Sequence, residues 1–212
     1  GLGLDGARLE YQLVGQEEPQ VLEERPLEDL VGILTDLEEH LRHLERRGIT
    51  AREYLSLRDG EDEEAQRFPV VKAVYTDDEG TQTAKYFYQI ADYDRYMMQL
   101  KDQYEDREEK LEVIEEDDWE ALISREHFRN TLRPTEFHEA AKIRHCIEQL
   151  ETFAIPLDYL FPPVVDEDEE TERPFKVCSD SDTRPVASLT DIVPAIREYG
   201  RKGLDIQRYK GL

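Results

Sequence analysis

The chain has 212 residues, 38% of them hydrophobic and 37% charged, with a formal net charge of -24. That length suits one large domain or two small ones, and the charge argues against an autonomous nucleic-acid binder, because phosphate contact needs clustered Lys and Arg. Two cysteines, Cys146 and Cys178, give no disulfide framework; no apolar run nears the ~20 residues of a membrane span, and the first ten residues lack a signal-peptide pattern, so a cytoplasmic location is expected.

Leu2 to Val14 reads as an extended segment, alternating roughly between apolar and polar residues. From Pro26 to Arg47 the apolar residues Leu27, Leu30, Val31, Leu34, Leu37, Leu41 and Leu44 recur at three- and four-residue steps, which predicts a long amphipathic helix. Pro26 suits its first turn and Gly48 its stop. Thr50 and Glu53 have capping-box spacing and predict a short helix through Leu57. "RFPVVKAVYT" and "TAKYFYQI" flank "DDEGTQ" and read as a β-hairpin. Helical spacing returns from Asp92 to Lys110. A short strand is expected at Leu111–Ile114, then a helix from about Asp117. A second long amphipathic helix is expected from about Thr135 to Phe153, with Phe137, Ala141, Ile143, Ile147 and Leu150 on one face. Ser188 and Asp191 are spaced to cap a last helix to about Lys202, where Gly203 is a natural stop. Pro194 lies too deep for a first-turn proline, so it should bend this helix or move its start.

The order of features recurs. Ile49, Tyr54–Leu55, "EDEE" at 61–64 and "RFPVV" at 67–71 follow the first long helix; Ile155, Tyr159–Leu160, "DEDEE" at 166–170 and "RPFKV" at 173–177 follow the second. Two helix-loop-strand units that merely look alike, or an internal duplication, would both produce this order. Duplication makes a specific claim: residues 27–76 and 136–180 superimpose, with Tyr54 and Tyr159 in matching, partly buried places.

Candidate sites are few. The acidic runs lack the ligand spacing and turn glycine of a calcium loop, and read as solvated charge. His138, His145 and Cys146 have no second pair of ligands at zinc spacing. The Asp pairs at 92–94, 166–168 and 180–182 lack the strand-end setting and further carboxylates of a Mg²⁺ site. No nucleophile elbow, P-loop or dinucleotide fingerprint occurs. No catalytic residue and no metal ligand is assigned.

The basic end differs in character. From Arg197 to Leu212 there are five basic residues against two acidic ones, so this end is +3 and the preceding 196 residues carry -27. Gln207, Arg208, Tyr209, Lys210 and Gly211 put two cations and an aromatic ring beside a glycine, a set that suits phosphate contact. The structural alternative is a strand end whose cations pair with carboxylates.

"IQRYKGL" at 206–212 resembles the start of the run that continues "GEM" in B subunits of bacterial type IIA topoisomerases, DNA gyrase and its topoisomerase IV relatives. "RPVASL" and "REYGRKGLD" resemble the segment that leads into it, and "GLDGARL" at 3–9 resembles the stretch before the long insertion of many gyrase B subunits. Between these ends the likeness is one of helix pattern and order. The family's metal-binding "EGDSA" and "DADVDG" motifs are absent, as is its ATP site. The resemblance therefore implies a fragment cut to isolate the insertion, non-catalytic by itself, from an enzyme that uses Mg²⁺ and ATP to supercoil DNA. It implies a domain at 1–187 and a return segment into the metal-binding core at 188–212. The implied partners are the gyrase A subunit, the rest of gyrase B and, in the intact enzyme only, DNA near Gln207–Gly211. The fold expected is α+β: two long amphipathic helices packed on short antiparallel sheets, with a candidate internal duplication. Topoisomerase IV, and a free-standing acidic module that mimics DNA, are the alternatives.

Overall fold

The computed structural model describes residues 4, 6–59, 67–76, 81–111, 134–166 and 170–210; at 75–76, 103–111 and 202–210 the description is of the backbone. Contacts divide the chain into two compact units, residues 1–40 with 145–212, and residues 41–144. The class is α+β, helices with two small antiparallel sheets.

The first unit carries a four-stranded sheet of β1 (Arg8–Tyr11), β2 (Gln20–Glu23), β6 (Phe175–Cys178) and β7 (Thr183–Val186), in the order β2-β1-β6-β7. All its pairings are antiparallel, and β1 meets β6 with Leu9 opposite Val177 and Tyr11 opposite Phe175. Alternation sets the buried face: Leu9, Tyr11, Phe175 and Val177 are inside, while Glu10 and Lys176 are not. The Tyr11 and Phe175 rings lie 5.7 Å apart, and Tyr159 stands edge-on to Phe175 at 6.0 Å.

Helix α1 (Glu24–Glu45) forms as its leucine spacing predicts. Leu27, Leu30, Val31, Leu34, Leu37, Leu41 and Leu44 are all buried, each worth roughly 1.5–3 kcal/mol relative to exposure. Pro26 sits in its first turn, and Gly48 follows with φ +82°, the left-handed stop that glycine adopts without a Cβ penalty.

In the second unit α2 (Ala51–Ser56) starts where Thr50 Oγ1 accepts the Glu53 amide at 3.1 Å. The Glu53 carboxylate is occupied elsewhere and accepts the Tyr86 hydroxyl at 3.0 Å. The hairpin expected from "RFPVVKAVYT" and "TAKYFYQI" is β3 (Val71–Thr76) with β4 (Gln82–Phe87). The hairpin leads into α3 (Ile90–Leu111), and Tyr93 and Tyr96 of that helix pack against Val71, Ala73 and Phe87. Leu111 is helical, so the strand expected at Leu111–Ile114 does not begin there; its remainder and the helix expected from Asp117 lie outside the described residues.

Two expectations are corrected. The helix expected from Thr135 is α4 (Ala140–Glu151), 12 residues long. Thr135 and Glu136 instead form β5, which completes the sheet order β4-β3-β5 through Lys72 opposite Thr135 and Val71 opposite Glu136. Backbone pairing to β3, continued by the Phe137 amide donating to the Val70 carbonyl at 2.8 Å, outweighs the helical spacing of the side chains. The last helix, α5, runs Ile192–Lys210 straight through Gly203, and the strand end that was the structural alternative is absent from 192–210. Glycine permits a stop but does not impose one. Inside a helix it costs about 1 kcal/mol relative to alanine, and the apolar spacing of Ile192, Ile196, Tyr199 and Ile206 continues across it.

The repeated order of features has a partial counterpart in space. Each hairpin's first strand, β3 or β6, is flanked antiparallel by its hairpin partner and by a third strand, but β5 leads into α4 whereas β1 leads into β2. A left-handed residue, Gly48 (φ +82°) or Ala154 (φ +55°), precedes buried Ile49 or Ile155. The tyrosines differ. Tyr54 is fully buried on α2, whereas Tyr159 is half-buried in a single 3₁₀ turn at Leu157–Tyr159.

Candidate functional site

The candidate basic end is carried by α5, and the start of that helix is built locally. Ser188 is fully buried; its Oγ donates to Asp191 Oδ2 at 2.8 Å, and the same oxygen accepts the Ser188 amide at 3.2 Å. This capping box closes a 3₁₀ turn at Leu189–Asp191, and α5 begins after it, so Pro194 falls in the first turn of α5. The proline moves the start and leaves no backbone donor missing from the helix interior.

One face of α5 is apolar: Ile192, Val193, Ala195 and Ile196 are buried. Tyr199 continues that face and donates its hydroxyl to the Val177 carbonyl at 3.1 Å, tying the helix to β6. Burial first, and the Asp182 charge next, push the Tyr199 phenol up. The other face is exposed and carries Pro194, Arg197, Glu198 and Arg201.

Of the residues singled out in the sequence, Gln207, Arg208, Tyr209 and Lys210 occupy the last turns of α5. Their side chains, and Gly211 altogether, lie outside the described residues. Helical backbone at 207–210 removes the strand-end reading of this segment.

What the sequence did not show is what faces the exposed side of α5. Arg173, ahead of β6, and Arg184, on β7, line an open cleft of about 620 Å³ together with Arg197 and Arg201. Two carboxylates share the lining, and both are engaged: Glu198 forms an ion pair with Arg184, and Asp191 holds the capping box. Among the described residues no carboxylate pairs with Arg173, Arg197 or Arg201. The spacing of Arg197 and Arg201 was a legible signal, one helical turn apart. Arg173 and Arg184 join them only because β6 and β7 pair with Val177 opposite Arg184.

Asp182 Oδ1 accepts the Thr183 amide at 2.9 Å and shapes the turn between β6 and β7. Asp92 pairs with Arg95 at 3.2 Å on α3. Cys146 and Cys178 are buried and free, and burial pushes the Cys146 thiol up, away from thiolate reactivity. Among the described residues no group of three His, Cys, Asp or Glu side chains could hold a metal ion. No helix among them is long and apolar enough to cross a membrane. The acidic loop at 61–64 and residues 167–169 of the second run lie outside the described residues. No family model matches the chain, and no curated protein and no solved structure matches it.

Proposed function

We propose that the chain is the insertion region of a gyrase-type topoisomerase B subunit, acting by contact rather than by chemistry. The single observation that carries this reading is the run "IQRYKGL" at 206–212, preceded by "RPVASL" at 184–189. In this reading the acidic body braces the B subunit against the A subunit, and the basic end lies near DNA. A body charge of -27 excludes or steers a duplex rather than holding it. ATP hydrolysis and Mg²⁺ chemistry belong to other parts of the parent chain, and topoisomerase IV is the variant reading within the family.

The test is excision of residues 8–186 from the parent enzyme, with the flanking segments joined by a flexible Gly-Ser linker. ATP turnover should persist while DNA supercoiling falls. A parent chain without topoisomerase activity, or one that supercoils equally well without this region, overturns the reading. The same net charge favours a second reading, a free-standing acidic module that mimics DNA. That module would compete with DNA for a DNA-binding protein in isolation, which the insertion would not do.

A further inference from the structure

The arginine cleft stands on its own observations, independent of the topoisomerase reading. In a chain with 51 acidic residues against 27 basic ones, it gathers four guanidiniums against two carboxylates. Three of the guanidiniums have no carboxylate partner among the described residues. These guanidiniums are therefore free to take an anion from outside the chain.

Three properties define what fits. The volume of about 620 Å³ exceeds what a lone oxyanion fills and lies in the usual range for ligand pockets. The cations are spread rather than focused: Arg197 and Arg201 stand one turn apart on α5, about 6 Å along its axis, while Arg173 and Arg184 come from the sheet side. Such a set matches several separated anions, each able to take a guanidinium fork. The lining also includes apolar side chains, Pro185, Ala187 and Pro194 among them. A phosphodiester backbone offers these side chains little, and a long duplex would meet the repulsion of the whole acidic body. A short segment held within the cleft is screened from distant charge over about 8 Å.

We propose that this cleft binds an acidic peptide segment, with carboxylates separated by small apolar side chains. The carboxylates dock on Arg173, Arg197 and Arg201, and the apolar side chains lie against the prolines of the lining. Arg184, held by Glu198, sets the shape of the rim.

The probe is a fluorescein-labelled peptide alternating glutamate with valine, added to the full chain and followed by fluorescence anisotropy. Saturable binding at low salt that weakens as salt rises is the expected result. Reversing both helix charges, Arg197→Glu with Arg201→Glu, should weaken it by about tenfold or more. Arg25→Glu, which alters an exposed arginine outside the cleft, should leave it unchanged. A thermal melt establishes that the double variant is folded; if it is not, Arg173→Glu, on the irregular segment before β6, takes its place with the same expected loss. No saturable binding, or an equal loss in Arg25→Glu, overturns the proposal. So does an oligothymidylate of equal charge that displaces the peptide and binds more tightly through the same arginines, which would make the cleft a nucleic-acid site.

Discussion

Arg47 holds Glu139 across 92 positions of sequence: its Nη2 lies 3.4 Å from Glu139 Oε1, and its Nη1 donates to the Glu136 carbonyl. The chain leaving α1 is thereby fastened to the corner between β5 and α4. The Glu139 side chain is only 10% exposed, and its Oε2 has no partner among the described residues. Removing the guanidinium would strand a buried carboxylate. Arg47→Ala should cost about 2 kcal/mol, less than a wholly buried pair because Arg47 is one-third exposed. Glu139→Gln, which removes the charge and keeps the shape, should cost less than half as much. Urea midpoints of the two variants check the order; an unchanged midpoint for Arg47→Ala means that water reaches the carboxylate.

Tyr54 stacks on Phe68 at 5.6 Å, meets Phe137 edge-on at 5.3 Å, and donates its hydroxyl to the Pro69 carbonyl at 2.8 Å. Tyr54→Phe leaves that carbonyl without its donor and should cost about 1–2 kcal/mol. The buried phenol also makes the unit sensitive to base. Burial first, then the Glu139 and Tyr88 charges, push the Tyr54 phenol up. Tyr86 is pushed up to about 12 by burial and by its bond to Glu53. The folded state therefore keeps protons that the unfolded state gives up near pH 10. Stability contributed by these phenols is fully present below about pH 10 and falls as pH rises toward about 12. Urea midpoints measured from pH 9 upward should decline beyond pH 10, and less steeply in Tyr86→Phe. An unaltered slope in that variant removes Tyr86 from the account.

Gly48 and Ala154 occupy the same left-handed turn after their helices, with φ +82° and +55°. A β-carbon at Gly48 would meet open space, so only the backbone conformation opposes one. Gly48→Ala should destabilise by about 1 kcal/mol. Ala154→Gly should relieve the same strain but add freedom to the unfolded chain, for a net gain of about 0.5 kcal/mol. Opposite signs in thermal melts of the two variants are the expected outcome; the same sign in both would show that the turns differ energetically.

Under the topoisomerase reading, Arg208 and Lys210 contact phosphate in the intact enzyme. Lys210→Ala should then reduce the salt slope of DNA binding by about one unit without changing sequence preference. The chain alone should not bind duplex DNA at physiological salt. An unchanged slope in both Lys210→Ala and Arg208→Ala removes the DNA contact and leaves a structural ion pair as the role of these residues.

The elements legible in the sequence were those that carry their own signal. The leucine stripe of α1, the Thr50 cap, the Gly48 stop, the hairpin and the Ser188–Asp191 box are all fixed by residues a few positions apart. β5 was hidden because two residues define it only through a partner strand over sixty positions away. The full length of the last helix is hidden because Gly203 permits a stop that the neighbouring residues do not take. Of the arginine cleft, the helix half was legible in the spacing of Arg197 and Arg201. The sheet half depended on the β6–β7 register, which no local pattern encodes.

The pairing of β1 with β6 also dictates a timetable. A ribosome delivers Arg8–Tyr11 long before Phe175–Cys178. Until then the inner strand of the four-stranded sheet has β2 on one side and bare backbone on the other. Residues 41–144 lie wholly between those two deliveries and contain both sides of the β3–β5 pairing. At translation rates of about 5–20 residues per second, this nested unit has several seconds in which to close before β1 can meet its partner. Limited proteolysis of ribosome-stalled chains ending near residue 180 should find the β3–β4 and β3–β5 strands protected and the segment around β1 cut.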